Sequence, residues 1–144
     1  MSRINQLFAL CLCALAALTQ VGCGSYDATV SGSVSLDGEP LKSGTISFFP
    51  VADGPTAYAR IEPTGQYELR TGREAGLAPG EYQVTVVARE QRELAANDAG
   101  GPPPPGKQLT PNHYRDRKTS GLAYTIEPGH NQIDLDLTTA QPGG

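Results

Sequence analysis

From Ala28 onwards the chain alternates. In "ATVSGSVSLD" the positions Ala28, Val30, Gly32, Val34 and Leu36 are apolar or small, while Thr29, Ser31, Ser33, Ser35 and Asp37 are polar. That period of two belongs to a strand with one buried face. The run stops at "DGEP", where Asp37-Gly38 suits positive backbone dihedrals and Pro40 cannot donate to a ladder. Further alternating sets follow at Ile46 and Phe48, at Ala57, Ala59 and Ile61, and at Tyr67 and Leu69. Beyond the Pro79-Gly80 turn come Tyr82, Val84, Val86 and Ala88, then Leu122, Tyr124 and Ile126. A turn at Pro128-Gly129 precedes Ile133, Leu135 and Leu137. No window after residue 23 has a long helical period. Residues 89–96, "REQRELAA", include helix formers but almost no apolar face, and read as a solvated helical turn or the start of a loop. The pattern therefore predicts an all-β fold: a seven-stranded antiparallel β-sandwich over residues 28–138, with inner faces that supply the core. Residues 139–144 form a tail.

Residues 97–112, "NDAGGPPPPGKQLTPN", make the longest irregular stretch. Four consecutive prolines favour extended polyproline geometry and forbid a central strand. This segment is expected to be an exposed loop.

The N-terminus has a different grammar. Met1-Ser2-Arg3 is followed by "LFALCLCALAAL", residues 7–18, and then by small residues up to Cys23. A basic start, a short apolar run and a small-residue exit form an export signal. Its twelve apolar residues fall short of the roughly 20 that span a bilayer core. Val21-Gly22-Cys23 resembles the lipobox of bacterial lipoproteins, with Gln20 standing where an apolar residue is usual. The resemblance implies cleavage before Cys23, leaving residues 1–22 as signal and residues 23–27 as a lipidated tether, and anchorage to a membrane facing the extracytoplasmic space. Several acyl chains on one cysteine suffice for stable anchoring. Gly24 lacks the aspartate that retains lipoproteins in the inner membrane, which favours the outer membrane. The alternative is a signal cut elsewhere, giving a soluble secreted protein with a free cysteine.

Composition narrows the remaining functions. A chain of 144 residues suits one domain. Cys11, Cys13 and Cys23 are its only cysteines, so the segment beyond residue 23 holds no disulfide or thiolate metal site of its own. Loss of residues 1–22 removes Arg3 and no acidic side chain, which moves the net charge from −4 to −5. With no basic cluster interleaved with aromatics, such a surface argues against nucleic acid as a partner.

The order "VSGSVSLDGEPLKSGTISFFP", "TGQYELR", "GLAPGEYQVTVVA" resembles the carboxypeptidase regulatory-like family, a transthyretin-like (prealbumin-like) sandwich. The likeness spans about residues 28–90 and continues through "YRDRKTSGLAYTIEPGHNQIDLDL". It rests on turn glycines and core apolars, with Gly32 and Gly38 at bends and Tyr67 and Tyr82 between the sheets. It implies a structural or binding role towards an envelope protein or glycan, with no catalytic residue to carry over and no cofactor.

Side-chain chemistry points the same way. His113 and His130 are the only histidines, lack metal-ligand spacing, and read as solvated loop residues. Ser31, Ser33 and Ser35 alternate on a polar strand face with no elbow motif or base in sequence around them. The transthyretin-related hydroxyisourate hydrolases end in Tyr-Arg-Gly-Ser, whereas this chain has Tyr114-Arg115-Asp116 internally and ends in "TTAQPGG". A hydrolase with an unrecognised site remains the competing class. Asp134 and Asp136 share a strand face and either bind calcium or guard a sheet edge. Arg115, Arg117 and Lys118, in "YRDRKTS", are the candidate partner-binding residues, because arginine forks suit planar oxyanions; the competing reading is a solvated stretch.

Overall fold

A computed structural model describes residues 26–90 and 105–140. Cys23, the signal segment, most of residues 89–96, most of the proline run and residues 141–144 lie outside the described residues. The described chain is an all-β sandwich of two sheets. Its strands are β1 (Ala28–Leu36), β2 (Glu39–Pro40), β3 (Thr45–Pro50), β4 (Ala57–Arg60), β5 (Gln66–Glu68), β6 (Arg70–Thr71), β7 (Glu74–Ala75), β8 (Gly80–Val87), β9 (Leu122–Ile126), β10 (Gly129–Gln132) and β11 (Leu135–Leu137). Each of the seven expected apolar sets lies in or beside a strand. The surplus comes from two-residue strands, too short for alternation to register, and from β10, which is mostly polar.

The first sheet is organised around β1. On one side β5 and β2 pair with it antiparallel, through Gly32↔Tyr67 and Leu36↔Glu39 among others. On the other side β10 and β11 pair with it parallel, from Ala28↔Gly129 to Ser31↔Gln132 and from Val34↔Leu135 to Leu36↔Leu137. The second sheet, in the order β7-β6-β4-β3-β8-β9, is antiparallel throughout. Antiparallel pairing thus dominates, with the two parallel partners of β1 as the departure from expectation.

Alternation explains the core. Val30, Val34, Tyr67, Leu135 and Leu137 point inwards from the first sheet and meet Ile46, Phe48, Ala59, Tyr82, Val84 and Val86 from the second. Leu69, fully buried, lies at the crossing from β5 into β6, and its N–H donates to the Val30 carbonyl at 2.9 Å. Asp37 and Gly38 both have positive φ, 51° and 85°, and form the expected tight turn between β1 and β2.

Gly32 is not at a bend. It lies within β1, where a Cβ would sit 1.8 Å from the Ile133 carbonyl oxygen. That carbonyl turns inwards and accepts the Tyr67 hydroxyl at 2.7 Å. The missing side chain makes room for a backbone group at the break between β10 and β11.

The described end of the proline-rich segment is ordered against β8 rather than free. Leu109 N–H donates to the Ala88 carbonyl at 2.9 Å and Glu90 N–H to the Lys107 carbonyl at 2.8 Å. Thr110, 2% exposed, accepts the Ala88 N–H at 3.1 Å. A 3₁₀ turn at Asn112–Arg115 follows and inserts Tyr114 into the core, where its hydroxyl accepts the Thr138 N–H at 3.1 Å.

Candidate functional site

The outward face of β1 carries Thr29, Ser31, Ser33 and Ser35, and the parallel register sets a polar side chain of β10 or β11 beside each. Thr29 Oγ1 lies 3.2 Å from His130 Nδ1, and Ser31 Oγ lies 3.4 Å from both His130 Nε2 and Gln132 Oε1. Ser33 donates to Asp134 Oδ1 through its N–H at 2.8 Å and its hydroxyl at 2.9 Å. Ser35 donates to Asp136 Oδ1 at 2.7 Å. Beyond the strand, the Asp37 carboxylate accepts Thr139 Oγ1 at 2.6 Å, Thr139 N–H at 3.0 Å and Thr138 Oγ1 at 3.0 Å. One row of hydrogen bonds thus runs the length of the sheet.

Asp134 has a particular task. Its oxygen accepts the Ser33 N–H at the point where β10 gives way to β11, so a side chain replaces the missing ladder carbonyl. The Ser33 hydroxyl and N–H, with a smaller part from Gln132, hold the Asp134 carboxyl below the ordinary carboxylate range. Beneath it Tyr67 is buried, and burial raises its phenol well above the usual tyrosine value, with Tyr124 and Asp134 adding to the effect.

A shallow groove of about 470 Å³ crosses this face, between the seam and the β5 edge. Ser31, Gly32, Ser33, Glu62, Gln66, Tyr67, Glu68, Gln132 and Asp134 line it. Its surface is mostly hydroxyls, amides and carboxylates, the groups that bind hydroxyl-rich ligands by hydrogen bonding.

The residues expected to act together are placed as follows. Cys23 lies outside the described residues. Arg115, Arg117 and Lys118 are all exposed but do not converge. Arg115 Nη1 donates to Gln108 Oε1 at 3.1 Å, the Arg117 guanidinium lies 5.7 Å from the Phe49 ring centre, and Lys118 N–H donates to Asp116 Oδ1 at 2.8 Å. Arg117 thereby sits against the six-stranded sheet, away from the groove. The histidines are not loop residues. His130 is in β10, exposed and facing two hydroxyls, which puts a base beside Ser31 that the sequence order conceals. His113 is in the 3₁₀ turn, its ring 4.0 Å from that of Tyr114, with Nε2 buried and without a hydrogen-bond partner among the described residues. Asp134 and Asp136 are engaged by Ser33 and Ser35, and among the described residues no three His, Cys, Asp or Glu side chains are grouped to hold a metal ion. Sequence reasoning singled out the serines and aspartates separately; their pairing, and the part played by Gln132, follows from the parallel register, while Gln66 and Glu68 are brought alongside by the antiparallel pairing of β5 with β1. Compared with protein-family models, curated proteins and solved structures, the chain matches none.

Proposed function

We propose that this chain is a non-enzymatic lipoprotein of the bacterial cell envelope, anchored through Cys23, whose carboxypeptidase regulatory-like sandwich binds a glycan through the groove beside β5. The outer membrane is the favoured site, and a protein partner is the second option. The observation that carries the reading is the tether: β1, the central strand of its sheet, starts at Ala28, five residues beyond Cys23. A domain that begins there fits a lipoprotein whose folded body follows almost directly on its anchor. The groove favours a glycan, because protein interfaces centre on apolar and aromatic side chains, and this surface offers hydroxyl, amide and carboxylate groups. Glu62 and Glu68 favour neutral sugars over acidic ones by charge repulsion.

Two measurements test it. The mature N-terminal peptide from host membranes should begin at an acylated Cys23, and Cys23→Ala should abolish membrane retention; an unmodified terminus elsewhere, with protein in the medium, refutes the anchor. Neutral oligosaccharide binding, followed by titration calorimetry, should weaken at least about tenfold in Gln66→Ala with Glu68→Ala, the loss of two or more hydrogen bonds at about 1 kcal/mol each. Equal binding by the variant refutes the groove. The rival hydrolase reading draws on the Ser31–His130 approach of 3.4 Å. Ester turnover abolished by Ser31→Ala would establish that reading instead.

A further inference from the structure

We infer that the end of the sandwich at which β1 begins rests against the bilayer surface, with the loop at residues 51–55 and the turn at residues 78–79 as its contact. The inference rests on the lipidation of Cys23 and adds an orientation to it.

The geometry starts at Tyr26. The chain is already fixed there: the Asp27 carbonyl accepts the Gly129 N–H at 2.8 Å, and the Ala28 carbonyl accepts the Leu77 N–H at 3.0 Å. Tyr26 packs over Gly76, whose backbone has no room for a side chain, a Cβ there lying 2.2 Å from the Ala28 carbonyl oxygen. Only three peptide steps separate Tyr26 from Cys23, a reach of at most about 11 Å between α-carbons at 3.8 Å per step. A lipidated Cys23 sits at the headgroup level, so the body cannot hang freely below a long stalk. The end that carries Tyr26 is held at the membrane.

The same end carries the most exposed large apolar side chain among the described residues. Val51, 61% exposed, follows β3, and its N–H donates to the Glu81 carbonyl at 2.8 Å. Since Gly80 pairs with Ile126 and Leu77 with Ala28, residues 51–55 and 77–81 lie at the end where β1 starts. Ala52, Pro55, Ala78 and Pro79 are exposed around Val51. Facing a bilayer, this small apolar rim meets the acyl boundary. Asp27, Asp53, Glu81 and Glu127 are exposed at this end too. The surface it suits is therefore zwitterionic, because anionic headgroups repel four carboxylates within a Debye length.

The test uses the acylated full-length protein purified from host membranes and reconstituted in phosphatidylcholine vesicles. Lipidation consumes Cys23, so Val51→Cys or Glu39→Cys supplies the only free thiol of the mature chain for a nitroxide label. Glu39 is exposed in β2, at the opposite end of β1. Accessibility of the label at 51 to a water-soluble relaxation agent should fall at least about threefold on reconstitution, as expected of a site at the headgroup boundary, while the label at 39 is unchanged. Replacing a third of the lipid with phosphatidylglycerol at low salt should restore part of the accessibility at 51. Anchored protein with equal accessibility at both labels overturns the orientation alone. Protein that carries no acyl group at Cys23 overturns the anchor and the orientation together.

Discussion

Gly32→Ala adds one methyl group in the middle of β1, and the structure says where it goes. The backbone there is outside the left-handed region, so alanine meets no conformational penalty. Its Cβ would lie 1.8 Å from the Ile133 oxygen and 2.6 Å from the Ile133 carbon, both backbone atoms. One of the two strands must move. Overpacking of this kind costs about 1–3 kcal/mol. Displacing the Ile133 carbonyl also parts it from the Tyr67 hydroxyl, and a buried acceptor left unpaired costs a further 1–3 kcal/mol or so. A total of about 2–6 kcal/mol is a large share of the roughly 5–15 kcal/mol that holds a domain folded. At a urea slope of about 1–3 kcal/mol per molar, the midpoint falls by at least about 0.7 M. Two companions isolate the cause. Gly38→Ala has open space around its Cβ but φ of +85°, and should lose only the conformational term of about 1 kcal/mol. Tyr67→Phe keeps the ring and removes the hydroxyl, for about 1–3 kcal/mol. Because Gly32→Ala and Tyr67→Phe act on the same carbonyl, the double variant should lose less than the sum of the two, by at least about 0.5 kcal/mol. Urea denaturation followed by tyrosine fluorescence or far-ultraviolet dichroism reads all four. A Gly32→Ala midpoint at the parent value, or strict additivity with Tyr67→Phe, would refute the account of Gly32 as a seat for the Ile133 carbonyl.

Other consequences are as readily measured. Thr110→Val keeps the shape of a fully buried side chain but strips the Ala88 N–H of its acceptor, and should lower stability by about 1–3 kcal/mol in the same urea assay; a change below about 0.5 kcal/mol would show that the Ala88 N–H finds another partner. Asp37 and Asp134 have carboxyls held below the ordinary value by their threonine and serine donors. Their contribution is therefore complete above the usual aspartate value of 3.8 and is lost as pH falls through the lowered folded values, so stability should decline with acid more steeply in the parent than in Asp37→Asn or Asp134→Asn. Identical slopes would show that the donors do not discriminate the charged form. Arg117→Ala removes an exposed guanidinium from the Phe49 ring and should shift stability by about 1 kcal/mol or less; a larger loss would mean that the contact organises the 3₁₀ segment.

The strands were legible because one face of each is buried, and burial writes a period of two into β1, β3, β8 and β9. Partner direction is not written there. An alternating strand buries the same face whether its neighbour runs parallel or antiparallel, so the return of β10 and β11 alongside β1 could not be read from Ile133, Leu135 and Leu137. Gly32 looked like a bend because a glycine in a strand has several uses, and only the inward Ile133 carbonyl distinguishes them. The site was hidden for the same reason. Ser31, Ser33 and Ser35 are about a hundred positions from His130, Gln132, Asp134 and Asp136, and nothing local relates them until the parallel register does. Arg115, Arg117 and Lys118 stood out as a local cluster, yet the 3₁₀ turn and the bend after it send their side chains to Gln108, to Phe49 and to solvent.

The parallel seam also bears on how an anchored domain carries load. On the proposed anchorage through Cys23, tension would reach the folded body at Tyr26–Ala28, where β1 begins. That strand is the centre of its sheet, paired on one side with β10 and β11 and on the other with β5 and β2. A pull along its axis strains the ladders on both sides together, in shear, instead of opening them one bond at a time from an edge. The Ser33–Asp134 and Ser35–Asp136 bonds add side-chain links across the seam at the places where the backbone ladder is interrupted or resumes. Asp37 then fastens the far end of β1 to Thr138 and Thr139, just beyond β11. The polar face therefore has two roles along its length: the seam between β1 and the C-terminal strands is saturated with internal hydrogen bonds and holds the sheet together, whereas Gln66 and Glu68 on the β5 side keep their polar groups turned to solvent. A ligand that recognises this face has to be read from the β5 side, which is where the groove lies.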